Sequence, residues 1–455
     1  MTQEPTPAPG PTPVFDPSDP RQQKPKLRPV RGFPAQHQDQ QMLALADAQQ
    51  ISDRVVFTTP AAQVVLPHFT GEKDLDSIVR EVGQGLTRPW LEAFVAQLEG
   101  AGLIEGKTFT GMLEKLKRDF DSRDVLPPGS SIAFAEAIAQ EHAGEQTLSE
   151  EEKTARAPAA LRTQFDHWID QALKDADDPS LDDLPRAVVA PHLDYGRGWL
   201  NFAHTYGRLR VVDTPDRVIV LGTNHFGFGT GVVGCDKGYE SPLGVMPMDA
   251  EFKDRLCRAL GEEDARRLFE HRYDHEREHS IELQIPWLQH VFGEGGDPAP
   301  MPVFAALVHD PARNAGESYD GEGLGLLPFV EGLKQAIVES PGRTLIVASV
   351  DLSHVGPQFG DQVKIADLED EEATAFREKT IQHDREMLQL VLDRKPEELV
   401  ASMAWMQNPT RWCSVGALVA TLKTVEPESV RLLNYAAAVD AHGAGMVSAC
   451  AMAMA

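Results

Sequence analysis

Cysteine is scarce in this chain. Four residues, Cys235, Cys257, Cys413 and Cys450, are spread over 455, and no CxxC pair occurs. That excludes a disulfide framework and suits a reducing compartment, so a cytoplasmic location is expected. Basic residues are also in deficit: 43 Lys and Arg against 70 Asp and Glu leave a formal net charge of −27. Nucleic acid and anionic membrane surfaces repel such a chain. No apolar run is long enough to span a bilayer. The opening "MTQEPTPAPGPTP" lacks the basic and apolar regions of a secretory signal.

What is present is an ordinary globular balance, 42% hydrophobic and 25% charged, in a chain long enough for two or more domains. Residues 1–38 are rich in Pro, Gln and charge, and read as a disordered tail. Residues 39–112 read as a small separate module. It has a β-branched run, "DRVVFTTPAAQVVLPHF", and two helical patterns, "LDSIVREVG" and "RPWLEAFVAQLEGAGLIEG". Two helices followed by an expected strand suggest a winged-helix-like module. Acids outnumber bases there, so partner or peptide docking, or a plain structural appendage, is favoured over DNA binding. Residues 113–158 read as a helical linker.

From residue 159 to 455 apolar strand-like runs alternate with helices: "RAVVA", "DRVIVLG", "PVFAALV" and "TLIVASV". This argues for an α/β domain with a largely buried sheet, in which ligands bind at the strands' carboxyl ends. Those ends are suggestive. "AVVA" leads into Pro191 and His192, "VIVLG" into Thr223, Asn224 and His225, "LIVASV" into Asp351 and His354, and "FAALV" into His309 and Asp310. A shared site containing His192 and His225 is expected, with His309 the weaker member. Imidazole and thiolate are the usual ligands of Zn, Cu and Fe. Cys413, in "RWCSVGALVATL" (411–422), would complete a three-ligand site with a position left for water or substrate. The bland alternative for Cys413 is a small buried filler.

A rival motif is "HEREH" (275–279), which matches HExxH. On one helix His275 and His279 would share a face and bind zinc, with Glu276 as base. No third ligand follows at the extended metzincin spacing, and the same stretch also reads as the charged start of an amphipathic helix. The glycines of "GTNHFGFGTG" match no phosphate-loop pattern and read as turns around His225.

Taken as a set, "VVAPHLDYGRG" (188–198), "VIVLGTNHFG" (218–227), "SPLGVMPMD" (241–249), "EHSIELQIPWLQ" (278–289), "TLIVASVDLSHVG" (344–356) and "WCSVGAL" (412–418) resemble the Memo-like family and its AmmeMemoRadiSam system protein B members. The resemblance implies a three-layer α/β/α fold related to class III extradiol dioxygenases. It implies a metal site on His192, His225 and Cys413, holding iron(II) or copper. It places the family's Asp/His pair on Asp351 and His354, the latter a candidate acid/base oriented by Asp351. Its "EHSxExQ" segment falls on Glu278, His279 and Glu282, which would line or buttress the pocket together with Asn224 and Asp194. It also implies AMMECR-type and radical SAM protein partners and a small-molecule or peptide ligand. The chain departs from the family at Leu193 and Asp194 and at Thr223, Asn224 and Phe226, so substrate does not transfer. An oxidoreductase, a non-catalytic partner-binding scaffold and the HEREH peptidase all stay open here.

Overall fold

A computed structural model of the chain describes residues 13–37, 40–293, 301–365, 370–440 and 442–455. It divides into two compact units after Ser122.

The first unit contains α1 (Pro20–Gln23), β1 (Val30–His37), β2 (Gln40–Asp47), β3 (Val56–Thr58), α2 (Ala62–Val65), α3 (Leu75–Val82), α4 (Arg88–Gly100) and α5 (Lys107–Asp121). Its sheet is antiparallel in the order β1-β2-β3. Residues 1–12 of the expected disordered tail lie outside the described residues. From residue 13 onward that expectation fails, because Phe15, Leu27 and Val30 pack against the unit's core. The composition misled for a physical reason: β1 is an edge strand, where Pro34 is tolerated. The winged-helix expectation is not met in its detail. After α4 the chain makes only a bridge between Leu27 and Ile104 and then enters α5, so the strands precede the helices instead of following them.

The second unit opens with β4 (Val125–Leu126), α6 (Ser130–His142) and α7 (Glu150–Leu173). The ends of the expected linker, 113 and 158, fall inside α5 and α7, and residues 123–158 belong to this unit. Ser149 and Glu152 form a reciprocal cap at the start of α7. Phe134 of α6 meets Trp168 of α7 at 5.7 Å between ring centroids and Tyr195 at 5.3 Å. The unit continues with β5 (Ala187–Ala190), α8 (Tyr195–Tyr206), β6 (Arg217–Gly222), β7 (Val233–Gly234), β8 (Gly238–Ser241), β9 (Gly244–Met246), α9 (Ala250–Phe269), α10 (His279–Glu282), α11 (Gln284–Phe292) and β10 (Val303–Leu307). It ends with α12 (Leu326–Val338), β11 (Thr344–Ser349), β12 (Asp351–Val355), α13 (Glu371–Leu392), α14 (Pro396–Met406), α15 (Val415–Val425), β13 (Val430–Val439) and β14 (Met446–Met454).

Among the described residues the main sheet runs β12-β14-β5-β11-β6-β10-β7, with β13 paired to β14. The pairs β5–β11, β11–β6 and β6–β10 are parallel, and the flanking pairs are antiparallel. The parallel strands are apolar without alternation because helices cover both faces. Ala187 and Val189, Ile219 and Leu221, Phe304 and Ala306, and Ile346 and Ala348 join a core with α9, α12 and α15. On the other side Trp287 of α11 stacks on Phe165 of α7 at 3.7 Å and on Phe202 of α8 at 5.6 Å between ring centroids. This mixed α/β arrangement agrees with the expected α/β/α class. It brings the carboxyl ends of β5, β6 and β11 together at one edge. No helix among the described residues is long and apolar enough to cross a membrane.

Candidate metal centre

Three side chains converge at that edge. His192 follows β5, His225 follows β6, and Cys413 comes from the loop before α15. Their ligand atoms all lie within 4.8 Å of one another. His192 Nε2 is 3.3 Å from Cys413 Sγ. Two ligands bound tetrahedrally at metal–donor lengths of about 2.0–2.3 Å stand roughly 3.5 Å apart, so this spacing fits a shared ion.

The hydrogen-bond network orients both imidazoles. Ser349 Oγ donates to the Ser280 carbonyl at 2.5 Å, which uses its one proton. It therefore accepts from His192 Nδ1, 3.1 Å away, and from Gln284 Nε2 at 3.0 Å. His192 is thus protonated on Nδ1 and turns the lone pair of Nε2 toward the thiol. His225 Nδ1 donates to Glu278 Oε1 at 3.0 Å, and the His225 N–H donates to Glu278 Oε2 at 2.8 Å. Its Nε2 is likewise left as the donor atom for a metal. An acceptor behind each ligating imidazole is the usual support of a metal site.

Glu278 carries more than one partner. His279 Nδ1 is 3.2 Å from Oε1, and the Ser280 N–H donates to the same oxygen at 2.8 Å. Burial alone would raise this carboxyl, but His225 and His279 outweigh it and hold it well below the usual range. His279 is in turn raised, because Glu278 outweighs the opposing effect of burial. His192 is pushed well below its ordinary value by burial and then by the neighbouring His225 and His279. Burial also pushes the Cys413 thiol up, with Asp351 adding to it. A bound cation supplies the opposite field, and a coordinating thiol is deprotonated outright.

Tight backbone approach makes the network possible. A Cβ on Gly222, at the end of β6, would lie 2.5 Å from Ser280 Oγ. That hydroxyl accepts from the Thr223 N–H at 3.0 Å and donates to the Thr223 carbonyl at 3.1 Å. It thereby pins the turn that presents His225.

The two histidines of the triad line a cavity of about 340 Å³ together with His279, Asp351 and His354, with Asp194, Arg197, Ser130, Phe134 and Phe359 among the other walls. His354 Nδ1 donates to the Leu352 carbonyl at 2.9 Å, and burial lowers the ring to about 4. It is a neutral imidazole at pH 7. Asp351 does not orient it, contrary to the sequence expectation. Its Oδ1 accepts the His192 N–H at 3.0 Å, and burial pushes its carboxyl up to about 6. Asp351 therefore steadies the first histidine rather than the last.

The remaining expected residues divide. Asp194 lines the cavity, caps α8 and pairs with Arg197 at 2.6 Å. Glu282 does not face the cavity. It accepts from the Gly129 N–H at 3.2 Å and the Ser131 N–H at 3.0 Å, as well as from the Ser131 hydroxyl, so it holds the start of α6. Asn224 also turns away. Its Nδ2 donates to Asp274 at 2.9 Å and its Oδ1 accepts from the Gly227 N–H at 2.8 Å, closing the glycine-rich loop.

The HEREH peptidase is contradicted. His275 ends up in a 3₁₀ segment, Arg272–Arg277, and Glu278 is extended before His279 starts α10, so the two histidines share no helix. His275 is buried, with Nδ1 2.8 Å from the Tyr239 hydroxyl and Nε2 3.1 Å from the Val233 carbonyl. Glu276 pairs with Arg123 at 2.5 Å.

Comparison with known proteins agrees with this layout. A family model described as "Memo-like protein" matches residues 154–453. The chain belongs to the Memo-like family. A MEMO1 family protein of Methanopyrus kandleri is 31% identical over 295 residues, 63% of this chain and 89% of that relative. One from Thermotoga maritima is 28% identical over 262 residues, 57% of this chain and 78% of its own length. The Memo-like match takes in every residue of the triad and its supports, and stops short of the first unit. Several of those supports were not foreseen. Ser349, Ser280 and Gln284 are small or neutral polar groups whose role shows only once the strands are adjacent. Ser349 had one usable signal, a polar residue ending an otherwise apolar strand.

Proposed function

We propose that this Memo-like protein is a metal-dependent oxidoreductase of dioxygenase-like type, with iron(II) or copper held by His192, His225 and Cys413. The observation that carries the reading is the convergence of two imidazole Nε2 atoms and one sulfur, with both Nδ1 atoms committed elsewhere. A thiolate in the set favours soft or borderline ions over Mg or Ca. The metal would supply redox chemistry and an open coordination position. The chain's own residues do the rest. His354, neutral at pH 7, accepts a proton from a ligand in the cavity. His279, held by Glu278, is the second group able to move one. Asp351 fixes the backbone of His192. Phe134 and Phe359 add apolar walls to the cavity. The ligand is a small molecule or the end of a modified peptide, and AMMECR-type and radical SAM proteins are the proposed partners in a modification pathway in the cytoplasm.

The test is anaerobic purification followed by elemental analysis of wild type, His225→Ala and Cys413→Ala. Stoichiometric iron or copper in wild type, lost in both variants, supports the reading. Metal retained in both variants, or none in well-folded wild type, favours the second reading. In that reading the same cavity is a docking site for a peptide or small ligand on a scaffold without turnover.

A further inference from the structure

Beneath the triad lies a carboxylate that none of the chemistry above uses. Asp384, on α13, has no exposed surface. Four side-chain donors converge on it, two per oxygen. Oδ1 accepts from Trp412 Nε1 at 2.7 Å and Ser353 Oγ at 2.5 Å. Oδ2 accepts from the Tyr435 hydroxyl at 2.7 Å and Ser448 Oγ at 2.5 Å. An amide could not replace it, since it has one acceptor oxygen and brings donors of its own.

The donors have significant neighbours. Trp412 immediately precedes Cys413, and Ser353 lies between Asp351 and His354. The loop that delivers Cys413 is otherwise unfavourable. Gln407, Asn408 and Arg411 have φ of 58°, 47° and 59°, in the left-handed region that non-glycine residues seldom adopt. Such a backbone persists only where its surroundings over-determine it. Here they do. Asn408 bonds the Trp412 N–H and carbonyl, both at 2.8 Å, and the Thr410 carbonyl accepts from the His354 N–H at 2.7 Å. Asp384 supplies the anchor at the indole end.

We propose that Asp384 is a positioning residue: through Trp412 it holds the Cys413 sulfur against His192 Nε2, and through Ser353 it sets the strand carrying Asp351 and His354. Its consequence for metal binding rests on the triad proposed above.

The experiment compares Trp412→Phe, which keeps an aromatic ring and removes the indole donor, with Asp384→Asn and with Tyr435→Phe. The last removes a donor from β13, a strand that carries no site residue. Two readouts are taken on the full chain. One is Co²⁺ titration, following the thiolate-to-cobalt charge-transfer band. The other is iodoacetamide labelling of the metal-free protein by mass spectrometry, with the fully buried Cys235 as internal monitor of global opening. Trp412→Phe and Asp384→Asn are expected to weaken Co²⁺ binding about 10–100-fold, the usual loss for a supporting residue, and to diminish the band. They should speed labelling of Cys413 while Cys235 keeps the wild-type rate. Tyr435→Phe should leave both readouts near wild type. The proposal is overturned if Cys413 labelling is unchanged, if Cys413 and Cys235 react together, or if Tyr435→Phe matches Trp412→Phe. Wild type that takes up no Co²⁺ sinks the metal reading alone. Labelling then decides the positioning role, and selective labelling of Cys413 upholds it.

Discussion

Two parts of one sheet edge look alike in sequence and differ in the folded chain. β5 and β6 lead into His192 and His225, which line one cavity and group with Cys413. β10 leads into His309, two strands from β5's neighbour β11 in the sheet order, and among the described residues it joins no such group. His309 Nε2 donates to the Gly316 carbonyl at 3.2 Å, and its ring meets Tyr319 edge-on at 5.6 Å. Burial lowers its pKa, and the Gly316 and Glu317 carbonyls and the Glu317 charge offset this only in part. The lesson is that a histidine at a strand end marks the edge where ligands bind. Whether it is a ligand depends on what takes its other nitrogen. A carboxylate or a committed hydroxyl on Nδ1 turns Nε2 outward as a donor, while a carbonyl on Nε2 makes the ring a fastener.

That contrast can be broken by substitution. The largest effect belongs to the ligands. His192→Ala, His225→Ala and Cys413→Ala should each weaken metal binding by more than the roughly 10–100-fold typical of a supporting residue, as read by competition titration against a chelator. Glu278→Gln comes next. It keeps the shape but removes the charge that His225 and His279 share, and a loss of about 10–100-fold is expected in the same titration.

His275 sharpens the comparison through pH. Burial depresses it from 6.5 to about 4, so the unfolded chain takes up a proton between those values before the folded one does. Its contribution to stability is complete above pH 6.5 and is lost as pH falls through that window, amounting to roughly 3 kcal/mol. His275→Gln, which keeps both an acceptor for Tyr239 and a donor for Val233, should flatten the fall in stability measured by urea denaturation between pH 6.5 and 4. An unchanged slope would contradict the assignment of this histidine as a neutral structural group. The smallest effect belongs to His309→Ala. It should leave metal affinity at the wild-type value and cost about 1 kcal/mol of stability for the lost hydrogen bond.

Much of the centre was legible in the sequence because it follows from strands. "AVVA", "VIVLG" and "LIVASV" are apolar on both faces, and the residues just past them must come out at the ligand edge. Cys413 was legible from residue type only as one of two readings, ligand or filler, and the family resemblance weighed for ligand, since a loop cysteine between Trp412 and Ser414 has no periodic signature. Asp384 was not legible at all. In "QHDREMLQL" it reads as one more charge on an amphipathic helix, and its burial depends on β12, β13, β14 and the Trp412 loop closing over it. Glu282 and Asn224 were read as lining or buttressing the pocket because their neighbours in sequence do. Neither is in its lining: Glu282 holds the start of α6 beside Ser130, and Asn224 closes the glycine-rich loop, through backbone and loop partners that composition could not reveal. In the first unit the edge strand β1 was hidden by its own Pro34 and Gln36.

The central claim is that two strand-end histidines and a distant cysteine share one ion. Crystallography of protein purified under anaerobic conditions, with anomalous data collected on either side of the iron and copper edges, tests it most directly. The account predicts a single anomalous peak about 2.0–2.3 Å from His192 Nε2, His225 Nε2 and Cys413 Sγ, with His309 remote from it. A peak held by His279 and Glu278 without Cys413, or a well-ordered site with the thiol still hydrogen-bonded to His192 and no peak after metal soaking, would contradict it.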